Sequence, residues 1–210
     1  MNKVKAIVVM AIGVVVALLL SSCAAGAMFG EEINRAFKGV PATMTTYSQT
    51  GQKIDQVKGS SFRVTRDTKF DTTTSNSDGT SSSKNDSQVL MISIGDSHIS
   101  HVGSSMILAQ DGLTEITADT AATVELQNDQ PGMPILNDII EKHRNLWQGK
   151  AKTLMIRSQN GTPIAVYAGN QVEAFANDVP KSTAFRIDGK YLLVYRSDYT
   201  VYDNSLLEKK

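Results

Sequence analysis

The chain has 210 residues, 21 basic and 21 acidic side chains, 41% hydrophobic residues and one cysteine. This length and composition are typical of one globular domain of moderate size. A formal net charge of zero excludes nucleic acid as an expected partner, because phosphate backbones are bound by strongly basic surfaces. A single thiol excludes an internal disulfide, so the hydrophobic core must stabilise the fold alone.

The N-terminus predicts an export signal over residues 1–22. Lys3 and Lys5 precede an apolar run, Ala6–Leu20, and two serines then lead to Cys23. A positive segment, an apolar segment and small residues, in that order, are typical of a secretory signal peptide. After its removal, 19 basic and 21 acidic side chains remain, and this slightly negative net charge argues against binding of polyanions.

An uncleaved membrane helix is the alternative. The 25 residues from Ala6 to Gly30 carry no charge. As a helix they would span roughly 37 Å, more than the bilayer core of about 30 Å. Two serines and two glycines in the second half make this stretch a poor span.

Leu20-Ser21-Ser22-Cys23 resembles the lipobox of bacterial lipoproteins. The resemblance implies cleavage between Ser22 and Cys23 and a diacylglyceryl group on the Cys23 thiol. Membrane lipid is then a partner through Cys23, and the protein lies on the extracytoplasmic face of the cell membrane. Two acyl chains, at about 0.8 kcal/mol per buried methylene, would hold it firmly. The alternative is a buried, inert cysteine in a signal or membrane helix.

Residues 23–42 are predicted to be a tether between the lipid and the folded domain. Ile33, Ala36 and Phe37 have helical spacing, and a glycine and a proline follow within four residues. So short a helix is marginal on its own. We therefore interpret it as a frayed part of the tether near the lipid headgroups.

Residues 43–210 are predicted to form one β-rich extracellular domain. Short runs of β-branched and aromatic residues alternate with dipeptides that supply the positive φ of two-residue hairpin turns. The four turns are Thr50-Gly51, Asp111-Gly112, Asn160-Gly161 and Asp188-Gly189. The run KYLLVYR is apolar enough to be partly buried on both faces. The fold class is mainly β (β-rich α+β), an antiparallel meander of hairpins forming a sandwich or a barrel.

Residues 72–87, TTTSNSDGTSSSKNDS, contain no large apolar side chain. Such a stretch buries too little surface to offset its ordering entropy, so it is predicted to be a mobile loop between two strands. A glycosylated or partner-seeking arm is the functional alternative.

One amphipathic helix is predicted at residues 134–148. Pro134 suits its first turn and Gly149 its C-terminal stop. The apolar side carries Ile135, Leu136, Ile139, Ile140, His143, Leu146 and Trp147. This stripe is expected to pack on the sheet with Trp147 as its anchor.

Gly95-Asp96-Ser97 resembles the nucleophile block of the esterases named for that tripeptide, in which Ser97 would attack the substrate. Those enzymes have an alternating α/β fold and an aspartate two residues before a late histidine. No aspartate stands two residues before His143, the last histidine of this chain. A plain turn is the favoured interpretation.

His98 and His101 are the other candidates for chemistry, as metal ligands. On a strand, side chains three residues apart point to opposite faces, so one metal would not bind both. No cysteine is nearby to assist, and Asp96 is a single carboxylate. Neither a metal, a cofactor nor a catalytic residue is predicted.

Three stretches resemble a family of uncharacterised lipoproteins from Gram-positive bacteria: TYSQTGQKIDQVKGSSFRVTRDTKFD, MIRSQNGTPIAVYAGN and FRIDGKYLLVYRSDYTVYD. The resemblance implies placement at the cell surface and assigns no catalytic residue. We expect a non-enzymatic surface lipoprotein that binds an envelope protein or a glycan. The alternative is a hydrolase-like envelope enzyme with a dispersed active site. Four tyrosines are candidates for a binding surface, although most are expected to pack in the sheet: Tyr191, Tyr195, Tyr199 and Tyr202.

Overall fold

A computed structural model describes residues 32–116 and 144–207. The strands in these ranges are β1 (Pro41–Tyr47), β2 (Lys53–Ser60), β3 (Phe62–Arg66), β4 (Thr72–Ser75), β5 (Ser81–Lys84), β6 (Leu90–Ile94), β7 (Ser97–His101), β8 (Ser105–Gln110), β9 (Lys152–Arg157), β10 (Pro163–Gly169), β11 (Val172–Phe175), β12 (Ser182–Ile187), β13 (Lys190–Tyr195) and β14 (Asp198–Asp203). The helical segments are α1 (32–36), α2 (Arg144–Trp147) and the 3₁₀ turns Thr68–Phe70 and Asn204–Leu206.

The strands form open antiparallel sheets. The largest has the order β11-β12-β13-β8-β1-β2, and two three-stranded sheets have the orders β10-β9-β14 and β3-β6-β7. Strands β4 and β5 form a separate hairpin. The predicted mainly β, antiparallel fold is confirmed, and it is a layered one because these sheets do not close into a barrel. The order is also not a simple meander, since β13 lies beside β8.

The two central strands of the six-stranded sheet, β8 and β13, are buried on both faces. On one face Met106 and Leu193 belong to a cluster that the β3-β6-β7 sheet and α1 cover. On the other face Ile107 and Leu192 belong to a cluster that the β10-β9-β14 sheet covers. The two-sided burial predicted from KYLLVYR is confirmed. Each such side chain contributes about 1.5–3 kcal/mol by leaving water.

Helix α1 is part of the folded domain. Ile33 and Phe37, one helical turn apart, are 1% and 2% exposed within the first of these clusters. The Asn34 side-chain oxygen accepts a hydrogen bond of 3.0 Å from the backbone N–H of Val64 in β3. Gly39, with φ of +73°, ends this segment as its sequence suggests. Residues 32–42, predicted to be the end of the tether, are therefore packed against the sheets.

Three of the four predicted hairpins form: β1–β2, β9–β10 and β12–β13. The prediction of a hairpin at Asp111-Gly112 is wrong, because in the described residues the segment after this turn does not pair with β8. Strand β8 pairs with β1 on one side and with β13 on the other, so no free edge is left for the segment that follows the turn. That segment instead makes a bridge from Glu115 to Tyr167 of β10.

The polar stretch 72–87 joins β3 to β6, as predicted, but it is not irregular. Thr72–Ser75 pairs with Ser81–Lys84 in a fully exposed hairpin. Asp86 and Asp71 hold its base, because their carboxylates accept backbone hydrogen bonds of 2.8 Å from Thr72 and 3.0 Å from Ser87. Its mobility stays a prediction.

The end of the predicted helix 134–148 is described, and Trp147 packs on a sheet as expected. The Trp147 indole N–H donates to the Thr153 hydroxyl of β9 at 2.8 Å, and that hydroxyl donates to Asn204 at 2.6 Å. Gly149, with φ of +77°, follows as the predicted stop. Residues 134–143 lie outside the described residues.

The predicted signal peptide, Cys23 and the alternative uncleaved helix also lie outside the described residues. Within 32–116 and 144–207, the helices are too short or too polar to cross a membrane.

Replacing Phe37 by alanine tests whether α1 belongs to the core. We expect Phe37→Ala to lower the free energy of unfolding by about 3–5 kcal/mol, because it leaves a cavity in a closed cluster. Urea denaturation measures the change. The exposed neighbour provides the control, since Lys38→Ala should change stability by less than about 0.5 kcal/mol. Equal, small effects of both variants would mean that α1 is an external tether.

Candidate functional site

The tripeptide Gly95-Asp96-Ser97 forms the connection between β6 and β7. Gly95 has φ of +58° and Ser97 begins β7, so the interpretation as a plain hairpin turn is confirmed. Around it the described strands follow one another without the alternating helices of the esterases that share the tripeptide. The resemblance therefore assigns no activity to Ser97.

The two histidines of β7 do not converge on one point. The His98 Nδ1 atom lies 3.1 Å from the Ser93 hydroxyl of the neighbouring strand. The His101 Nε2 atom lies 3.1 Å from a backbone carbonyl, and its ring packs edge-on against Tyr195. Among the described residues, no three His, Cys, Asp or Glu side chains are grouped as a metal site requires.

The candidate tyrosines lie mostly in the packed layers. Tyr195 is fully buried, and its hydroxyl donates to the carbonyl of Gln88 at 3.0 Å. Tyr191 and Tyr202 are half-buried. Tyr199 is 40% exposed, and its ring forms a T-shaped pair with that of the buried Phe185. These four residues therefore form no aromatic binding surface.

A cleft of about 540 Å³ opens between α1, the corner that joins β2 to β3, and the β6–β7 hairpin. We call it the basic cleft. It is lined by three positively charged side chains, an imidazole and two serine hydroxyls: Arg35, Lys38, Arg63, His98, Ser61 and Ser93. None of the described residues that line it is acidic. Asp96 lies beside the cleft in the β6–β7 turn but is not among them.

The cations face outward because their neighbours face inward. On the α1 segment, Arg35 and Lys38 are three residues apart and exposed, whereas Ile33 and Phe37 are buried. On β3, Arg63 stands between two buried residues of an alternating strand. The same core contacts that fold these two segments therefore direct their charges to the cleft.

The cleft walls are fixed by contacts between the segments. The Ser61 hydroxyl accepts a hydrogen bond of 2.9 Å from the backbone N–H of Gly39, which ties the β2–β3 corner to the end of α1. Ser61 has φ of +63°, a left-handed conformation that costs a non-glycine residue free energy. A Cβ at Gly59 would lie 2.7 Å from Ile94 Cγ2, so this corner approaches β6 as closely as glycine allows.

The electrostatics of the cleft favour an anion. A guanidinium group can donate two parallel hydrogen bonds to a carboxylate or a phosphate, and an ammonium group adds a compact charge. The nearby carboxylate of Glu32 accepts a hydrogen bond of 3.3 Å from the Tyr191 hydroxyl. Sequence analysis missed this site, because residues 35 and 38 lie in one segment and residue 63 in another, in a chain without net charge.

A second cavity, of about 270 Å³, lies on the opposite face of the six-stranded sheet near β1 and β2. Tyr47 and Tyr167 line it with Glu115 and two lysines. Burial, and then the negative charge of Glu115, raise the pKa of both tyrosines above the usual value. Both phenols therefore stay protonated at neutral pH and can form hydrogen bonds but cannot act as bases.

Comparison with known proteins places nearly the whole chain in one family. The family model described as "Domain of unknown function (DUF5052)" matches residues 5–207. The comparisons with the curated proteins and with the solved structures find no significant match. The predicted membership of a family without an assigned activity is thereby confirmed.

The two buried phenols predict a loss of stability in alkali. Above pH 10 they ionise in the unfolded chain but stay protonated in the folded one, so the folded state binds more protons. The free energy of unfolding should then fall by up to about 1.4 kcal/mol per pH unit for each tyrosine. Denaturation at several pH values measures this slope. A variant with Tyr47→Phe and Tyr167→Phe should have a shallower slope, and equal slopes would contradict the assignment.

Proposed function

We propose that this chain, which belongs to the family described as a domain of unknown function (DUF5052), is a lipid-anchored binding protein of the cell envelope. Cys23 holds the chain on the extracytoplasmic face of the membrane. The β-rich domain binds an anionic ligand in the basic cleft.

The N-terminal sequence supports the anchor. A positive segment, an apolar run of 15 residues and the lipobox-like Leu20-Ser21-Ser22-Cys23 follow one another. The folded domain begins by residue 32 and carries its own core. The described core residues begin at Ile33, after the segment to which we assign export and attachment.

The basic cleft carries the proposal for the ligand. Arg35, Lys38 and Arg63 line one concave surface, and no carboxylate of the described part of the chain lines it with them. Hydrogen bonds between the wall segments hold this surface in place before any ligand binds. Such preorganisation reduces the entropy lost on binding. Three cations are too few for tight binding of nucleic acid, which commonly involves six or more phosphate contacts.

One contact favours an enzyme as a second candidate function. Ser93 and His98 lie 3.1 Å apart in the cleft, a distance at which a base could activate a hydroxyl nucleophile. In the described residues, no carboxylate hydrogen-bonds to the other ring nitrogen of His98 to orient it. The pair also sits directly across β6 and β7, where side chains meet without any catalytic role. We therefore favour binding over hydrolysis.

Replacing Cys23 tests the anchor. The mature wild-type protein should begin at Cys23 and carry the mass of a diacylglyceryl group, and it should partition with membranes. Cys23→Ser should remain unprocessed, as intact mass would show. Ser22→Ala, which keeps a small residue before the cysteine, is the matched control and should mature normally. Normal processing and equally tight attachment of Cys23→Ser would contradict the lipid anchor.

Titration with inorganic phosphate tests the cleft in the mature protein held in neutral detergent. We expect NMR shifts of the backbone amides around Arg35, Ser61 and Ser93. Arg63→Gln should weaken phosphate binding by about tenfold or more, because a charge-assisted hydrogen bond contributes about 1.5–3 kcal/mol. Lys53→Gln removes an equal charge from the opposite face of the sheet and is the control.

Equal affinities of the Arg63→Gln and Lys53→Gln variants would contradict an anion site in the cleft. A Ser93→Ala variant separates binding from hydrolysis. If the protein turns over a phosphate ester and Ser93→Ala abolishes turnover while phosphate still binds, the enzyme hypothesis replaces the binding one.

A further inference from the structure

We infer that the basic cleft docks onto the membrane that anchors the chain and binds the phosphate groups of its anionic phospholipids. The inference rests on the proposed function, since it takes Cys23 as the anchor and the cleft as an anion site. It adds the identity of the ligand and the orientation of the domain.

The tether is short compared with the domain. Nine residue steps separate Cys23 from Glu32, and an extended chain covers at most about 3.6 Å per residue, or roughly 32 Å in all. A domain of about 180 residues has a radius of gyration of about 16 Å, which corresponds to a diameter of roughly 40 Å. The surface around residue 32 is therefore the part of the domain held nearest the membrane.

The basic cleft lies at this surface. Arg35 follows Glu32 by three residues, about 4.5 Å along α1, and Lys38 lies in the turn directly after this helix. Arg63 reaches the same cleft from β3. The short tether thus brings these three cations to the headgroup layer.

Charge selects phosphate over other membrane groups. The mature sequence has 19 basic and 21 acidic side chains, yet three of the basic ones line the cleft, and within residues 32–116 and 144–207 no acidic side chain lines it. Each Lys or Arg near an anionic membrane surface raises partition about fivefold. The cleft is polar at its rim, where Ser61 and Ser93 offer hydroxyls. A polar, cationic concavity fits a phosphate headgroup better than an apolar acyl chain.

Vesicle binding by residues 24–210, without the leader and the lipidated cysteine, tests the inference. The clusters of buried residues described above lie between Ile33 and Tyr195, so this chain keeps them all. We expect it to sediment with vesicles that contain phosphatidylglycerol and not with pure phosphatidylcholine. Lys38 and Arg63 alone predict a difference in partition of about 25-fold at low salt. Salt near 1 M, with a Debye length of about 3 Å, should abolish the difference.

Charge reversal in the cleft should remove this preference. Arg63→Glu replaces an attractive charge by a repulsive one and should lower partition by about 25-fold. Lys38→Glu should have a similar effect from the other wall. Lys53→Glu makes the same change in net charge on the opposite face of the six-stranded sheet and should have little effect. All three residues are exposed, and unchanged thermal unfolding would confirm that the variants fold.

Two results would overturn the inference. Equal partition of the Arg63→Glu and Lys53→Glu variants would show that the cleft does not contact the membrane. Binding of soluble glycerol phosphate that depends on Arg63, without vesicle binding, would identify a soluble phosphate as the ligand. The second result leaves the proposed anion site intact, so failure of the inference and failure of the proposed function can be told apart.

Discussion

The two-sided burial of β8 and β13 is the constraint on which the rest of the structure depends. These adjacent strands form the middle of the six-stranded sheet, and their successive residues alternate between two separate clusters. Leu193 faces α1 and the β3-β6-β7 sheet, whereas Leu192 faces the β10-β9-β14 sheet. Because both faces are apolar, both must be covered, and the domain becomes a stack of layers. No disulfide is needed to hold it together.

The basic cleft is a consequence of one of these layers. Each wall has buried residues in the same cluster: Phe37 from the turn after α1, Phe62 from the β2–β3 corner and Ile92 from β6. The apolar contacts of these segments therefore bring their cations to one cleft.

Local sequence patterns correctly predicted the features that depend on local interactions, such as hairpin turns. Asn160-Gly161 and Asp188-Gly189 identified two real hairpins, because the turn geometry depends on those residues themselves. Asp111-Gly112 reverses the chain equally well, yet the strand beside β8 is β13, about 80 residues away in sequence. Which strands become neighbours in the sheet depends on which faces of all the strands in the chain are apolar. A turn dipeptide carries no information on that choice.

The same limit explains why the candidate site was missed. The spacing of Ile33 and Phe37 revealed a helix but not its partner, so Arg35 and Lys38 were assigned to a tether. Arg63 alternates with buried residues in FRVTR, which marks it as outward-facing without saying what it faces. His98 and Gly95 of the β6–β7 hairpin were interpreted only as a candidate metal ligand and as part of an esterase-like tripeptide. Only the layered packing brings these segments to one cleft.

Hydrogen exchange on anionic vesicles tests the central claim, that three distant segments form one phosphate-binding cleft, most directly. Amide exchange measured by mass spectrometry should slow together in residues 34–39, 61–63 and 93–98 when phosphatidylglycerol is present. Exchange in β2, beyond its corner with β3, should not change. Protection of one of these segments alone, or protection spread evenly over the domain, would contradict the account.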